Sequence, residues 1–249
     1  MNSPDPISLI STMTEDVLLD ESGRIMQTSQ AGPAFFLKNA FSSESVPFES
    51  FEHSKFKVEI LVTPEGEFGR TPTLAKPSVI KQGQLKEWTV ISSVAEEWQL
   101  PDGISLPKYL FVDLQGFVRN GSNFGGKKAW SVSNFIAEQL FCIKGTAEEV
   151  RYLPCEVFER QKQKLLIITY GKDGVDVFYK GQLCHFRGKT VTGIRDTVGA
   201  GDTFLGHFVA KMYKGASPIE AGENAVQDVV TFLEGKRINK TRQPLMVYN

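Results

Sequence analysis

One stretch of the sequence combines small residues, a carboxylate and the start of an amphipathic helix: Asp196-Thr-Val-Gly-Ala-Gly-Asp-Thr-Phe-Leu-Gly206. At Gly199, Ala200 and Gly201 the backbone N–H groups can face an anion, and the following helix adds the positive end of its dipole. Asp202 stands beside this cradle, where a carboxylate suits a base that takes the proton of an attacking hydroxyl. The alternative is a glycine-rich turn in which Asp202 only caps the helix.

A second glycine-rich run, Gly121-Ser-Asn-Phe-Gly-Gly-Lys-Lys128, matches the P-loop pattern of nucleotide-binding proteins except at its last position. Lys128 stands where a serine or threonine must hold Mg²⁺. A P-loop also follows a strand directly, whereas the nearest predicted strand ends near Asp113. The sequence therefore favours a solvated basic loop near an active site over a P-loop NTPase.

The composition and net charge are ordinary for a globular protein of this length. The 249 residues include 28 Lys and Arg and 29 Asp and Glu, which gives a net charge of −1, and 41% of the residues are apolar. These values exclude a disordered chain and give no support to a nucleic-acid binder that acts through bulk charge. The three cysteines form no disulfide or metal pattern, and no targeting signal or membrane span is predicted. We expect a cytoplasmic protein with neither a nucleic-acid nor a membrane partner.

Strands alternate with helices along the chain, which predicts an α/β fold with a largely parallel sheet. The segments around 14–30 and 54–72 look like a smaller β appendage, and 42–50 is predicted to be a loop. The predicted strands lie at 7–11, 56–62, 88–92, 109–113, 164–169 and 175–179. The predicted helices lie at 34–41, 133–142, 146–153, 204–212 and 218–233.

The Asp196 to Phe204 segment resembles the C-terminal signature of the ribokinase-like, or PfkB, carbohydrate kinases. Other segments resemble motifs of that family in the family's order. Residues 7–16 are similar to its first strand, which ends in a substrate-binding aspartate, and 30–35 resembles the Gly-Gly substrate motif of its inositol- and sugar-kinase branch. Residues 112–119 resemble the segment Asp-x-Gln-Gly-x-x-Arg of that branch, and 168–174 matches the Thr-x-Gly-x-x-Gly nucleotide loop.

This resemblance implies a three-layer α/β/α sandwich in one domain over residues 1–249, with a small β lid formed from parts of 14–30 and 54–72. It implies transfer of the γ-phosphate of ATP, with Mg²⁺, to a hydroxyl of a sugar, cyclitol or nucleoside. A homodimer that pairs through the lid is a further expectation. In many relatives the counterpart of Asp196 borders a monovalent-cation site.

The resemblance also implies a role for each site residue. The catalytic base is Asp202 and the anion hole is formed by Gly199, Ala200 and Gly201; the residues near ATP or its ions are Thr169, Gly171, Gly174, Glu149 and Asp196; the residues near the substrate are Asp16, Gly32, Asp113 and Arg119. For Asp113 and Arg119 a structural ion pair is the alternative.

The sequence departs from the family pattern at three places. Ala31 replaces the first glycine of the Gly-Gly pair, and the segment 41–56 is shorter than usual, so one strand–helix unit is missing. Thr146 replaces the asparagine of the Asn-x-x-Glu motif that organises Mg²⁺ and phosphate, although Glu149 is retained. Thr146 and Glu149 also form a capping-box pattern, which is the alternative role for both. These departures keep open a catalytically silent relative that acts as a ligand-binding or regulatory subunit.

Overall fold

The computed structural model describes residues 5–63, 66–71, 76–120, 123–194 and 196–237. The strands are β1 (Ile7–Leu19), β2 (Ile25–Ala31), β3 (Phe48–Thr63), β4 (Gly66–Arg70), β5 (Ser78–Val79), β6 (Trp88–Ser92), β7 (Trp98–Gln99), β8 (Tyr109–Asp113), β9 (Arg119–Asn120), β10 (Asn123–Lys127), β11 (Cys142–Thr146), β12 (Leu165–Thr169), β13 (Val175–Tyr179) and β14 (Gln182–Phe186). The α-helices are α1 (Pro33–Ser43), α2 (Gln115–Val118), α3 (Asn134–Gln139), α4 (Cys155–Gln163), α5 (Ala200–Tyr213) and α6 (Pro218–Gly235), and short 3₁₀ helices lie at Gln82–Gln84, Glu149–Tyr152 and Gly171–Asp173.

Ten of these strands form one mixed sheet in the order β14-β13-β12-β11-β8-β6-β1-β3-β4, with β2 paired to β1. The six strands from β12 to β3 run parallel to one another. The remaining four, β2, β4, β13 and β14, pair antiparallel. The predicted α/β architecture with a mostly parallel sheet is therefore confirmed.

Alternate residues of the central strands pack on opposite faces, because successive side chains of a strand point to opposite sides. Leu9 and Phe111 pack with α1, α5 and α6 on one face. Ile10 and Val112 pack with α3 and α4 on the other face. Since both faces of the sheet are covered, β8 and β12 are nearly continuous apolar runs, as expected for buried parallel strands.

β1 and β3 are long enough to belong to two parts of the sheet. The first half of β1 pairs with β3 and β6, whereas its second half pairs with β3 and β2. The β1–β3 register shifts between Thr12 and Thr14, which marks the border between these parts. Beyond it, β2, β1, β3 and β4 form a four-stranded extension, which we call the lid. The lid contains the described parts of segments 14–30 and 54–72 and continues the central sheet instead of forming a separate one.

The last two described helices, α5 and α6, agree closely with the helices predicted from the sequence. α5 buries the predicted apolar stripe, including Phe204 and Phe208. α6 begins with the predicted capping box, in which the Glu220 amide donates to Ser217 Oγ at 3.3 Å and the Ser217 amide donates to Glu220 Oε2 at 2.9 Å. Within the described ranges, no helix combines the length and apolar character needed to cross a bilayer.

Three predicted boundaries are wrong. The helix predicted over 133–142 ends at Gln139, and the chain then forms β11 (Cys142–Thr146). The helix predicted over 146–153 is the 3₁₀ helix Glu149–Tyr152. The predicted loop over 42–50 is shorter, because β3 begins at Phe48. β11 was not predicted because a charged residue and a glycine interrupt its apolar run.

Candidate active site

A cleft of about 1040 Å³ opens where the carboxyl ends of β8, β11 and β12 meet the lid, α5 and α6. Ligands of open α/β sheets bind at this edge. Ten of the predicted site residues line the cleft: Asp16, Gly32, Arg119, Thr169, Gly171, Gly174, Gly199, Ala200, Gly201 and Asp202. The other three, Asp113, Glu149 and Asp196, do not line it.

The anion cradle lies at the N-terminus of α5. Gly199 has a left-handed backbone conformation, with φ 82°. A Cβ at this position would lie 2.3 Å from the Phe36 ring, so only glycine fits here. The Ala200 amide donates to Thr197 O at 3.0 Å and the Thr203 amide donates to Gly199 O at 2.9 Å. The first-turn amides of Gly201 and Asp202 have no carbonyl four residues back within α5, and both residues line the cleft. Their position suits an incoming anion.

Asp202 lies in the first turn of α5 and faces the end of β6. Its Oδ1 accepts a hydrogen bond from Ser92 Oγ at 3.3 Å. Burial raises the pKa of Asp202 to about 7, and the neighbouring Asp113 carboxylate adds to the rise, while Lys144, Ser92 and Arg119 oppose it. A carboxylate with this pKa can accept a proton near neutral pH.

Lys144 is a site residue that the sequence analysis missed. It lies on β11, is buried, and donates to Asp113 Oδ2 of the neighbouring β8 at 2.8 Å. Its Nζ is 3.0 Å from the position that a Cβ of Gly201 would occupy, and it lines the cleft. Burial alone would lower the pKa of Lys144, but the carboxylates of Asp113, Asp202 and Glu149 outweigh it and raise that pKa, so the ammonium stays charged. A lysine inside the apolar run Phe141-Cys-Ile-Lys-Gly145 was the available signal.

Thr146 and Glu149 form the reciprocal hydrogen bonds of a capping box. The Thr146 amide donates to Glu149 Oε2 at 2.9 Å, and the Glu149 amide donates to Thr146 Oγ1 at 3.2 Å. Thr146 lines the cleft, whereas Glu149 is buried behind it. The capping-box alternative is therefore observed, and the pair stands next to Lys144 at the end of β11, while the role in organising Mg²⁺ and phosphate stays a prediction.

Two further cations face the cleft from the β9–β10 hairpin. Arg119 pairs across the hairpin with Lys127, and both line the cleft. The Lys127 side chain is only 10% exposed, and its Nζ lies 3.7 Å from a Glu148 carboxylate oxygen. The predicted solvated loop is thus wrong for the described residues 123–128, whose first five form β10. Since a P-loop requires a helix at that point, the strand also excludes the P-loop alternative.

The residues predicted to contact the substrate, Asp16 and Gly32, line the end of the cleft that lies under the lid. Asp16, on the lid half of β1, accepts a hydrogen bond from Thr14 Oγ1 at 2.5 Å, and burial raises the pKa of its carboxyl. Gly32 follows β2 with φ 83°, and a Cβ there would lie 2.7 Å from the carbonyl oxygen of Thr12. The backbone of Gly32 therefore passes directly against β1, which leaves no room for a side chain. Apolar lid side chains complete this end: Val58, Ile60 and Phe68.

The opposite end of the cleft has an apolar wall beside the predicted nucleotide loop. Thr169 ends β12, and Gly171 begins the short 3₁₀ helix that follows. Gly174 has φ 110°, and a Cβ there would meet Phe186 O at 2.1 Å. The wall of this end is built from branched apolar side chains: Val175, Val191, Ile194, Val226, Val229, Val230 and Leu233. A flat aromatic ring such as a purine fits a slot of this kind.

Asp196 is buried just outside the cleft and is paired. Its Oδ1 accepts from Lys236 Nζ at 2.6 Å and from the Val198 amide at 3.1 Å. Lys236 is another residue that the sequence analysis missed. It follows α6 directly, 40 residues from Asp196, and no local pattern signals the contact.

A second titratable cluster lies away from the cleft. Glu44, His207 and Asp228 place ligand atoms within 4.8 Å of one another, a spacing that could suit a metal ion. Lys211 Nζ lies between the two carboxylates, 2.6 Å from Glu44 and 3.0 Å from Asp228. Because this ammonium already neutralises the acids, the cluster acts as an ion-pair network that joins α1, α5 and α6.

Residues 133–227 match the sequence model described as pfkB family carbohydrate kinase. The predicted family resemblance is confirmed. The pfkB match contains β11, the predicted nucleotide loop and the anion cradle.

Curated pfkB-type relatives match parts of the chain. Fructokinase of Salmonella thompson is 28% identical over 85 residues, which are 34% of this chain and 38% of that protein. Inositol 3-kinase of Zea mays is 29% identical over 122 residues, which are 47% of this chain and 31% of that protein. The matched regions thus span less than half of either relative.

Solved structures match nearly the whole chain. A pyrophosphate-dependent kinase in the ribokinase family has a TM-score of 0.69 at 17% identity, over 92% of this chain and 95% of that chain. Ribokinase of Arabidopsis thaliana, bound to ribose and ATP, has a TM-score of 0.64 at 13% identity, over 92% of each chain. The predicted ribokinase-like fold is confirmed.

Proposed function

We propose that the chain is a kinase that transfers the γ-phosphate of ATP to a hydroxyl of a small polyol, such as a sugar, cyclitol or nucleoside. The observation that carries this proposal is the meeting of three features at one point of the cleft. The first feature is the Asp202 carboxylate, whose pKa is raised to about 7. The second is the pair of helix-terminal amides of Gly201 and Asp202, and the third is the buried ammonium of Lys144 next to them. Phosphoryl transfer needs positioning and charge stabilisation of this kind more than covalent protein chemistry.

In the mechanism that we propose, the acceptor lies under the lid and its hydroxyl faces Asp202. Asp16 and the backbone at Gly32 hold other hydroxyls of the acceptor. Asp202 accepts the proton of the attacking hydroxyl as the new P–O bond forms. The cradle amides and Lys144 stabilise the negative charge on the transferred group, and Asp113 holds Lys144 in place.

Mg²⁺ neutralises charge on the β- and γ-phosphates when it is bound with ATP. The oxygens of Thr146 and Glu149 suit this hard cation. Thr146 lines the cleft and would face the ion, whereas Glu149 does not line the cleft and would act on the ion through its hydrogen bonds with Thr146. Asp113 is paired with Lys144 and supplies no ligand.

The donor is a second question, because one structural neighbour is described as pyrophosphate-dependent. Pyrophosphate has no base and needs no apolar slot. The wall formed by Val175, Val229 and Leu233 beside Gly171 would then have no ligand to contact. This wall favours ATP as the donor.

The lid belongs to the same domain in this proposal. Val58 and Ile60 form a small cluster with Val94 across the cleft mouth, so lid and central sheet share apolar contacts. In the described part of the sheet, β2 and β4 each pair with one strand only. Pairing of these edges between two copies would form the homodimer expected from the sequence.

The test is a phosphorylation screen over sugars, inositols and nucleosides, with ATP and pyrophosphate as alternative donors and Mg²⁺ present. We expect turnover with ATP on at least one polyol. Turnover with pyrophosphate alone would overturn the proposed donor. Saturable binding of ATP and a polyol without turnover would favour the catalytically silent alternative, for which Thr146 in the Asn-x-x-Glu motif is the motivating observation.

A further inference from the structure

The side chain of Lys236 is enclosed by oxygen atoms and aromatic rings at the loop before the anion cradle. Its Nζ donates to Asp196 Oδ1 and to the carbonyl oxygen of Val198, each at 2.6 Å. The rings of Phe36 and Phe232 lie 5.9 and 5.0 Å from the same nitrogen. Cations are stabilised by the faces of aromatic rings at such distances. The Lys236 ammonium therefore lies among groups that stabilise a positive charge. We call these groups, from Asp196, Val198, Phe36 and Phe232, the Lys236 shell.

This shell is connected to the cradle through the backbone. Val198, whose carbonyl binds Lys236, directly precedes Gly199, and its amide donates to Asp196 at 3.1 Å. The ring of Phe36 contacts both the Lys236 shell and the tight backbone at Gly199. Lys236 itself lines a neighbouring cavity of about 390 Å³ and is absent from the lining of the main cleft. Lys236 therefore contacts the cradle through the 196–199 loop, and its charge also lowers the pKa of Asp16 on the lid side of the cleft.

A carboxylate oxygen and a carbonyl oxygen are also the ligands that a monovalent metal ion would use. The ammonium already occupies the position between Asp196 Oδ1 and the Val198 carbonyl oxygen that such an ion would take. The side chain of Lys236 is 22% exposed and that of Asp196 is 8% exposed, so water competes little for the pair.

We propose that Lys236 is a positioning residue, a tethered cation that fixes the 196–199 loop and makes phosphoryl transfer independent of added monovalent cations. This inference rests on the proposed kinase function. It also changes the expectation, implied by the family resemblance, of a monovalent-cation site near Asp196: in this proposal the Lys236 ammonium takes the place of that ion.

The test compares the wild type with Lys236→Met, which keeps the aliphatic chain and removes the charge. Lys214→Met is the matched control, because Lys214 pairs with Glu44 away from the cleft. Steady-state kinetics are measured at constant ionic strength in potassium, ammonium, sodium or tetramethylammonium chloride. Tetramethylammonium is too large to enter the shell.

We expect the wild type and Lys214→Met to have the same kcat in all four salts. Lys236→Met should lose about 10-fold to 100-fold in kcat in tetramethylammonium, the range typical of residues that orient a site's direct ligands. Potassium or ammonium should restore several-fold of that loss by filling the vacated oxygens. A wild type that needs potassium, an unchanged Lys236→Met, or a loss that no cation reverses would each overturn the proposal.

The two proposals fail in different ways. Absence of wild-type turnover in every salt contradicts the kinase, and the same salt series is then run on MgADP binding followed by thermal unfolding. The Lys236 proposal predicts cation-independent binding by the wild type and cation-dependent binding by Lys236→Met. If Lys236→Met does not fold, Lys236→Gln takes its place, and the wild-type salt profile alone can still overturn the inference.

Discussion

The two sides of the cleft are built in opposite ways. One side, which we call the charged floor, consists of Lys144 and Asp202, which line the cleft, together with the buried carboxylates of Asp113 and Glu149, which do not line it. These groups are held by one another, as the 2.8 Å Lys144–Asp113 pair illustrates. The lid side offers apolar surface instead, and Phe68 is 56% exposed although it lines the cleft. In the proposed function, the reaction chemistry is thus assigned to the buried, charged side, and contact area for an acceptor is assigned to the more exposed, apolar side.

The largest effect is expected for substitution of Asp202, the proposed catalytic base of the charged floor. Asp202→Asn keeps the size of the side chain and removes the proton acceptor, so kcat should fall by about 10²-fold to 10⁴-fold while ATP binding is retained. Steady-state kinetics and nucleotide titration measure the two separately. Asp102→Asn, on the surface far from the floor, is the control and should leave kcat unchanged. A mutant with more than about a tenth of wild-type kcat would show that Asp202 is not the catalytic base.

The pH dependence of the wild type sharpens the same point. Because Asp202 must be ionised to accept a proton and burial raises its pKa in the unliganded protein to about 7, kcat/KM should fall as the pH drops below 7. A kcat/KM that stays flat from pH 8 to pH 5, with binding and chemistry resolved in single-turnover experiments, would contradict the assignment.

The next effect tests whether the floor acts as a unit. Lys144→Met removes the buried ammonium, so kcat should fall by about 10²-fold to 10³-fold, as for other preorganised charge-stabilising groups. It also leaves Asp113 buried without its partner, which destabilises proteins by about 3–5 kcal/mol. The double variant Asp113→Asn/Lys144→Met should regain most of that stability and none of the activity. Recovery of activity in the double variant would mean that Lys144 serves only to neutralise Asp113.

A smaller effect is expected on the lid. Phe68→Ala should raise the KM of the acceptor about tenfold, equivalent to about 1.4 kcal/mol of lost apolar contact, with kcat nearly unchanged. Phe135→Ala removes a similarly exposed ring from α3 and serves as the control. A fall in kcat with unchanged KM would place Phe68 in the chemistry and break the contrast between the two sides.

The smallest effect concerns stability. Since folding raises the pKa of Asp202, its contribution to stability is complete below the unfolded pKa of about 4 and is lost as the pH rises towards 7. Asp202→Asn should therefore unfold at a higher temperature than the wild type at pH 8, by roughly 2–4 °C for each kcal/mol gained. Near pH 4 the difference should shrink. Thermal unfolding at both pH values measures it, and a variant that is less stable at pH 8 would contradict the burial argument.

Local signals in the sequence were sufficient for the cradle and for the helices near it. α5 and α6 have a clear apolar period, and the capping box at Ser217 marks the start of α6. The glycines of the cradle indicated an anion site because their role depends on backbone geometry, which is local. These features need no knowledge of distant partners.

The charged floor could be predicted only in part, because its partners come from different strands. β11 was missed because Lys144 and Gly145 resemble a break in an apolar run, and only Asp113 on β8 makes a buried lysine tolerable there. Likewise, the start of β3 contains the polar residues Glu49 and Ser50, so its pairing with β1 was not visible in the pattern. Lys236 lies far from Asp196 in sequence, and the chain gives no local sign of their contact.

The two long strands have a consequence for engineering. β1 and β3 run from the central sheet into the lid without a linker, so the lid cannot be excised as a separate unit and grafted onto another protein. A transplant at the Thr12–Thr14 register shift would have to preserve strand alignment on both sides of the cut. β2 and β4 could instead be replaced by the corresponding strands of a related protein, with β1 and β3 left unchanged.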